Sequence, residues 1–491
     1  MSDRHTLSVA GVEVDTRHWI GGERIASAET FTDHSPIDGS PIGEIARGGA
    51  AEARAAVAAA KAAFPAWAAT PRTERARILH AVADGVDKRL EDLAQVETRD
   101  NGALLRSHRR GVMPRVAHNF RFFADWLLTL DHEDFDTRGH TNHVSWDPAG
   151  PCVLITPWNA PLMLATWKVA PALAAGNTVV LKPAEWSPLT ASLLADIAAE
   201  AGLPAGVLNV VQGHGSEVGA ALVADPDVRR ISFTGSVPTA RRIAEAAAAN
   251  LTPLSLELGG KSPLLVFADA DLDLAVDLAV EQYDNAGQVC LAATRLLVDS
   301  TVAAEFTERF RTRALALRQG DPRDEATDLG PTIHPRQLEK VEGFVRRAVT
   351  AGARAVVGGG RNEELGGLYH RPTLLTDVAQ DSEIVQEEIF GPVLTLQTFD
   401  TEAEAVALAN DTRFGLAATV ATGSHERAER VTAQLVAGTV WVNCFFVRDL
   451  QAPFGGARHS GVGREGGTWS FDFYCDLKNT VTAPKGWTDH G

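Results

Sequence analysis

Cys152-Val153-Leu154-Ile155-Thr156 and Thr178-Val179-Val180-Leu181-Lys182 are short apolar, β-branched runs separated by a helix-length segment that closes at Gly176. Such runs, bounded by turn residues, read as buried strands. The pattern recurs at Val207 to Gln212, Arg230 to Thr234 and Leu254 to Leu258, with helical stretches of about 12 to 15 residues between. Strand and helix alternating at this spacing require right-handed crossovers. The expected fold class is therefore α/β, with a parallel sheet covered on both faces.

Outward from that core, a second alternation follows Gly259-Gly260: Leu264 to Phe267, a helix over Asp271 to Ala286, Thr294 to Val298, then Val393 to Phe399 and Leu416 to Val420. This predicts a second α/β domain. No long Ser/Pro/Gly linker divides the two, so a broad interface with a ligand-holding cleft is expected. The first 130 residues read mostly as helices, because Ala50 to Ala69 and Pro71 to Gly102 are rich in Ala, Leu, Glu and Arg, which lose little rotamer freedom in a helix. Asp131 to His143, hydrophilic and poor in core residues, reads as a loop or a protruding hairpin used in assembly.

Composition removes several classes of function. Over 491 residues, 46 Lys plus Arg stand against 63 Asp plus Glu, a net charge of −17, so a nucleic-acid partner is not expected. The balance of 45% hydrophobic and 22% charged residues fits neither disorder nor a fibrous repeat. The apolar stretch Leu162 to Ala175 is interrupted by Lys168 and Pro171, well short of the roughly 20 residues a membrane helix needs, so no membrane partner is expected. Met1-Ser2-Asp3-Arg4-His5 leads into no apolar run with a cleavage site, and the expected location is cytoplasmic. Cys152, Cys290, Cys444 and Cys475 are too scattered for a disulfide framework or a zinc site; they read as free thiols, and no metal site is expected.

Several positions could carry chemistry. At Phe233-Thr234-Gly235-Ser236 a strand turns into the helix Val237 to Asn250, which presents free N–H groups and a positive dipole end to a phosphate-sized anion; the alternative is an ordinary βα turn. Gly213-His214-Gly215-Ser216-Glu217-Val218-Gly219 has GxGxxxG spacing, a departure from the GxGxxG fingerprint. Lys182-Pro183-Ala184-Glu185 puts a cation and a carboxylate at the carboxyl end of a strand. Glu185 there would accept from ribose hydroxyls and repel a 2′-phosphate, favouring NAD over NADP, unless the two are a solvated pair. Glu257 ends the aliphatic run Leu254 to Leu258, so its carboxyl should titrate high and could act as a general base. Cys290 follows a flexible Gly287, and Asn159 offers an amide donor after the first strand. A lone cysteine is more often a small buried hydrophobe.

Together, Pro157-Trp158-Asn159, Leu181 to Glu185, Phe233 to Ser236, Leu256-Glu257-Leu258-Gly259-Gly260-Lys261 and Gly287-Gln288-Val289-Cys290 resemble the aldehyde dehydrogenase superfamily in residue and in order. The resemblance continues through Glu387-Glu388-Ile389-Phe390-Gly391-Pro392, Trp441-Val442-Asn443 and Pro453-Phe454-Gly455-Gly456, so it covers nearly the whole chain. It implies a Cys290 nucleophile, an oxyanion site made by the Asn159 amide and the Cys290 N–H, and a Glu257 that activates water. It implies NAD as cofactor, with Lys182 and Glu185 at the adenosine ribose, Gly235 and Ser236 at the pyrophosphate, Glu388 at the nicotinamide ribose and Phe390 against its ring. Thr156, Pro157, Trp158, Gly215, Gly219, Phe233 and Leu258 complete the implied cofactor set. It also implies a Rossmann-type cofactor domain (1–130, 146–258 and 438–468), a catalytic domain (259–437) and an oligomerisation arm (131–145 and 469–491) in a homodimer or homotetramer.

The substrate reading rests on Asn443-Cys444-Phe445-Phe446-Val447-Arg448-Asp449-Leu450 and Met113-Pro114-Arg115. A planar guanidinium in an apolar run suits a bidentate carboxylate partner. Both segments resemble the semialdehyde dehydrogenases of aromatic meta-cleavage, whose substrates carry carboxylates. Asn443 to Leu450 leans toward hydroxymuconic and aminomuconic semialdehydes, and the tail Gly466 to Tyr474 toward the carboxymethyl form. The alternatives are a surface ion pair of Arg448 with Asp449, an enzyme for uncharged aldehydes, and a cofactor-independent cysteine esterase.

Overall fold

The computed structural model describes residues 5–487. The reading of the amino terminus rests largely on residues 1–4, and the proposed arm ends at 488–491; both lie outside the described residues. Pro151–Ile155, Thr178–Lys182, Leu208–Val210, Arg230–Gly235 and Leu254–Leu258 pair in parallel at the heart of an eight-stranded sheet. The chain runs from Pro151–Ile155 outward through Thr178–Lys182 and Leu208–Val210, then returns to Arg230–Gly235 on the other side of the first strand, with Leu254–Leu258 beyond it. That reversal opens a crevice at the carboxyl ends of Pro151–Ile155 and Arg230–Gly235, the place such sheets hold nucleotides.

Side-chain alternation along the strands explains why both faces are covered. Cys152, Leu154, Val179 and Leu181 pack against the helices Arg72–Lys88, Met113–Thr129, Pro161–Ala175 and Leu189–Glu200, whereas Val153, Ile155 and Val180 pack against Ala50–Ala68 and Val237–Ala248. The second sheet has seven strands, including Pro263–Val266, Arg295–Asp299, Val393–Phe399 and Ala417–Ala421. Glu133–Thr137 and His140–Pro148 form a hairpin, so 131–143 is no open loop, and Cys475–Thr482 completes a three-stranded sheet with it. Among the described residues, no helix is long and apolar enough to cross a membrane.

The reading of residues 1–130 as mostly helical holds from Ala50 onward, where Ala50–Ala68, Arg72–Lys88, Leu90–Asn101 and Met113–Thr129 are helices, and fails before it. Six strands precede Ala50, from Thr6–Val9 to Pro41–Ala46. Thr6–Val9 and Val12–Asp15 alternate in polarity around Ala10 and Gly11, whose φ of 51° and 85° give a two-residue hairpin turn. The helix expected over Asp271 to Ala286 spans Leu272–Glu281, because Asn285, Ala286 and Gly287 all adopt positive φ. The helix after Ser236 ends at Ala248. The segment 438–468 is shared between the sheets: Thr439–Val442 is parallel to Ala417–Ala421 in the second, while Gly461–Val462 pairs with Leu254–Leu258 in the first.

Candidate active site

The ends of the first sheet's parallel strands carry Thr156 to Asn159, Lys182, Gly235 and Glu257 toward one cleft. The second sheet contributes the loops that enter Arg295–Asp299 and Val393–Phe399, bearing Cys290 and Glu388 to Phe390 respectively. The Cys290 loop is clamped from both sides. Asn159 Nδ2 donates to the Gln288 carbonyl at 2.9 Å, and Asn285 Nδ2 donates to the Asn159 carbonyl at 3.0 Å. Gln288 Oε1 accepts from the Ile333 N–H at 2.9 Å. Gly260 passes so close beneath that a Cβ on it would lie 2.8 Å from the Cys290 carbonyl oxygen. The Cys290 backbone N–H, turned toward its own thiol, donates to no carbonyl among the described residues.

Electrostatics separates the two candidate reactive groups. Burial pushes the half-buried Cys290 thiol up to about 12, with Glu388 adding to the rise and Arg448 opposing it. Burial likewise holds the Glu257 carboxyl well above the usual carboxylate range; Glu465 adds to this, and Lys168, Arg448 and Arg464 oppose it. Both Glu257 oxygens are buried without a hydrogen-bond partner among the described residues. Gly455 abuts them, since a Cβ there would stand 2.8 Å from Glu257 Oε1.

A buried network behind Glu257 escaped the sequence reading. Lys168 Nζ lies 2.7 Å from Glu465 Oε1 and donates to Ser232 Oγ at 2.9 Å. Glu465 Oε1 also accepts from Ser232 at 3.1 Å and Ser255 at 3.3 Å. Lys168 was visible as a charge inside an apolar helix, and a buried ammonium demands a carboxylate; nothing local identified Glu465, 297 residues away.

The crevice residues fit a dinucleotide. Lys182 Nζ contacts Glu185 Oε2 at 3.1 Å. Burial raises the Glu185 carboxyl, but the Lys182 ammonium and local hydrogen bonds outweigh it and leave Glu185 below its ordinary range. Ser236 caps Val237–Ala248, its hydroxyl accepting from the Thr239 N–H at 3.4 Å, and the start of this helix is exposed to the crevice. Gly215 lies beside Lys182, whereas a side chain on Gly219 would meet nothing within 4 Å, so no close approach explains the second glycine. Phe233 and Leu258 are buried in the sheet beneath. Across the cleft, Glu388 Oε1 accepts from the Gly260 N–H at 3.2 Å; a Cβ on Gly259 would fall 2.0 Å from Glu388 Oε2, so a side chain would evict that carboxylate. Phe390, at φ 58°, crosses the Trp158 ring edge-on at 5.2 Å. Thr156 donates its N–H to the Lys182 carbonyl, which ties Pro157 and Trp158 to the second strand.

Arg448 faces the same centre, and Arg115 lies near Arg448. Arg448 feels Arg115, Cys290, Glu257 and Glu465, and burial pulls its pKa down to about 10. The expected alternative, an ion pair of Arg448 with Asp449, is not formed: the Asp449 carboxylate influences Arg115 and accepts from the Gln451 N–H at 2.8 Å. Neither arginine has a carboxylate partner within ion-pair distance among the described residues.

Residues 24–480 match the model of the aldehyde dehydrogenase family. The chain belongs to that family. It is 45% identical over 481 residues to 2-hydroxymuconic semialdehyde dehydrogenase of Pseudomonas sp. (strain CF600), covering 95% of this chain and 99% of the relative. It is 43% identical to the Escherichia coli 5-carboxymethyl-2-hydroxymuconate semialdehyde dehydrogenase over 461 residues, 92% of this chain and 98% of that one. The crystal structure of an indole-3-acetaldehyde dehydrogenase complexed with NAD+ superposes with a TM-score of 0.95 at 40% identity, covering 97% of this chain and 98% of that chain. The expected α/β aldehyde dehydrogenase architecture is thus the observed one.

Proposed function

We propose that the protein oxidises a carboxylate-bearing, muconic-type semialdehyde to the acid with NAD, through a covalent intermediate on Cys290. The observation that carries the substrate assignment is Arg448, whose guanidinium acts on Cys290 and has no carboxylate within ion-pair distance among the described residues, with Arg115 near enough to add its charge. A cation without an ion-pair partner in a half-buried site favours an anionic ligand, and its forked donors suit a carboxylate. The names of the relatives agree with this class.

The residues present suit NAD. The helix start at Ser236 offers N–H donors to a pyrophosphate, Lys182 and Glu185 offer a cation and an acceptor to the adenosine ribose, and the Glu388 cradle offers an acceptor to the nicotinamide ribose, with Phe390 and Trp158 as packing rings. When bound, NAD supplies a two-electron acceptor.

In this mechanism the half-buried Cys290 thiol gives its proton to solvent water and the thiolate attacks the aldehyde carbon. The Cys290 N–H, which donates to no carbonyl among the described residues, and the Asn159 amide meet the developing oxyanion, a device worth about 2.7 to 4 kcal/mol per donor. Asn159 must exchange its bond to the Gln288 carbonyl for this one. Once the adduct is oxidised to a thioester, Glu257 takes a proton from the water that releases the acid; its high-titrating, unpartnered carboxyl suits that role. The Lys168–Glu465 pair fixes the charge behind it.

The cofactor unit in this reading is built on the eight-stranded sheet and the catalytic unit on the seven-stranded one. Assembly into a homodimer or homotetramer would use the three-stranded arm, where Phe135, Leu477 and Val481 are exposed apolar residues among the described residues. A cytoplasmic location suits the four free thiols. The test is formation of reduced cofactor from 2-hydroxymuconic semialdehyde with NAD, beside NADP and beside benzaldehyde. Preference for NAD and the carboxylated substrate is expected; equal turnover of benzaldehyde would overturn the substrate assignment, and turnover without cofactor would favour the esterase.

A further inference from the structure

The Arg448 guanidinium is a cation held without an anion. It is half-buried, and no carboxylate or carbonyl of the described residues accepts from any of its N–H groups. Aromatic rings take the place of a counter-ion. Arg448 Cζ stands 3.7 Å from the centroid of Phe454, directly over the ring face, and 5.3 Å from that of Trp167. A desolvated cation is costly, and the negative face of a ring offsets part of that cost without occupying a single donor or cancelling the charge. A carboxylate in the same place would do both.

We propose that Phe454 is the positioning residue for Arg448, holding the guanidinium by stacking so that its N–H edges stay free for the carboxylate of the substrate. The proposal rests on the reading that Arg448 meets that carboxylate. Phe454 is itself fixed to the core: its N–H and carbonyl exchange two 2.7 Å hydrogen bonds with the backbone of Glu465, whose side chain is buried in the ion pair with Lys168. The next residue, Gly455, lies against Glu257. One short segment therefore sets both the station of the clamp and the surroundings of the general base. Trp167, next to Lys168 on Pro161–Ala175, bounds the guanidinium from the core side.

The test compares the parent with Phe454→Leu, Phe454→Tyr and Arg448→Ala at saturating NAD, using 2-hydroxymuconic semialdehyde and benzaldehyde. Phe454→Leu keeps an apolar side chain and removes the ring face. The expected result is a KM for the carboxylated substrate raised roughly ten-fold, with its kcat and the benzaldehyde KM within about three-fold of the parent, and with Phe454→Tyr restoring most of the loss. A Phe454→Leu loss shared equally by both substrates, no loss, or a Phe454→Tyr protein as poor as Phe454→Leu would overturn the positioning role. If Arg448→Ala abolishes the preference for the carboxylated substrate while Phe454→Leu retains it, only the role of Phe454 falls. If Arg448→Ala retains the preference, the clamp itself falls, and Phe454 with it.

Discussion

Replacing Gly287 with Ala should disable Cys290 from three residues away. Gly287 sits at φ 71°, the third residue of a left-handed run with Asn285 and Ala286. An added Cβ would lie 2.1 Å from the Gly391 carbonyl oxygen and 2.3 Å from its carbon. These are backbone atoms and no rotamer relieves them, so the loop must retreat by about 1 Å to reach ordinary contact. The left-handed backbone adds about 1 to 2 kcal/mol for a residue with a Cβ. Movement of that size carries Cys290 off the Asn159 clamp, and a misplacement of about 1 Å typically costs about a hundred-fold in rate. The assay is kcat/KM with NAD and a semialdehyde, accompanied by far- and near-UV circular dichroism to show that the fold persists. A folded Gly287→Ala protein within about three-fold of the parent would show that the loop geometry does not set the nucleophile.

Three further outcomes follow from the buried charges. Because the Cys290 thiol is pushed up to about 12, alkylation by iodoacetamide in the cofactor-free protein should climb about ten-fold per pH unit across the accessible range; a plateau near neutrality would contradict it. Glu388→Gln should speed that alkylation and Arg448→Ala should slow it, since Glu388 raises and Arg448 lowers the thiol's pKa; the reverse order would be contrary. Burial pushes the fully buried Glu97 up to about 7, above its ordinary carboxyl value of 4.5. Its folded state therefore holds the proton more tightly, and this contribution to stability is present below about pH 4.5 and lost as pH rises toward about 7, by roughly 3 kcal/mol in all. Denaturant midpoints of Glu97→Gln should lack that part of the slope, so an unchanged difference between the two proteins from pH 5 to pH 8 would refute it.

The parallel sheet was legible because its strands are short, mostly buried runs rich in apolar and β-branched residues, separated by helix-length segments. The reversal of strand order was not, since nothing in Arg230–Gly235 itself says which side of Pro151–Ile155 it joins. The amino-terminal strands were hidden by the strong helix formers that follow them, although Thr6–Val9 and Val12–Asp15 alternate plainly once paired. At the candidate site, the short motifs that bear Cys290, Glu257 and Asn159 stood out in the sequence, but the left-handed turn at Asn285 and Ala286 did not, because neither residue requires positive φ. Arg448 stood out as a charge among aromatics. Its partner did not, because the neighbouring Asp449 offered a nearer answer than the ring of Phe454.

The most telling measurement is peptide mass mapping of Glu257→Gln after a single turnover with NAD and 2-hydroxymuconic semialdehyde. A variant unable to activate water should release reduced cofactor once and retain the acyl group as a thioester on Cys290, in equal amounts. Reduced cofactor formed with no adduct on that peptide, or an adduct on Cys444 instead, would contradict the mechanism.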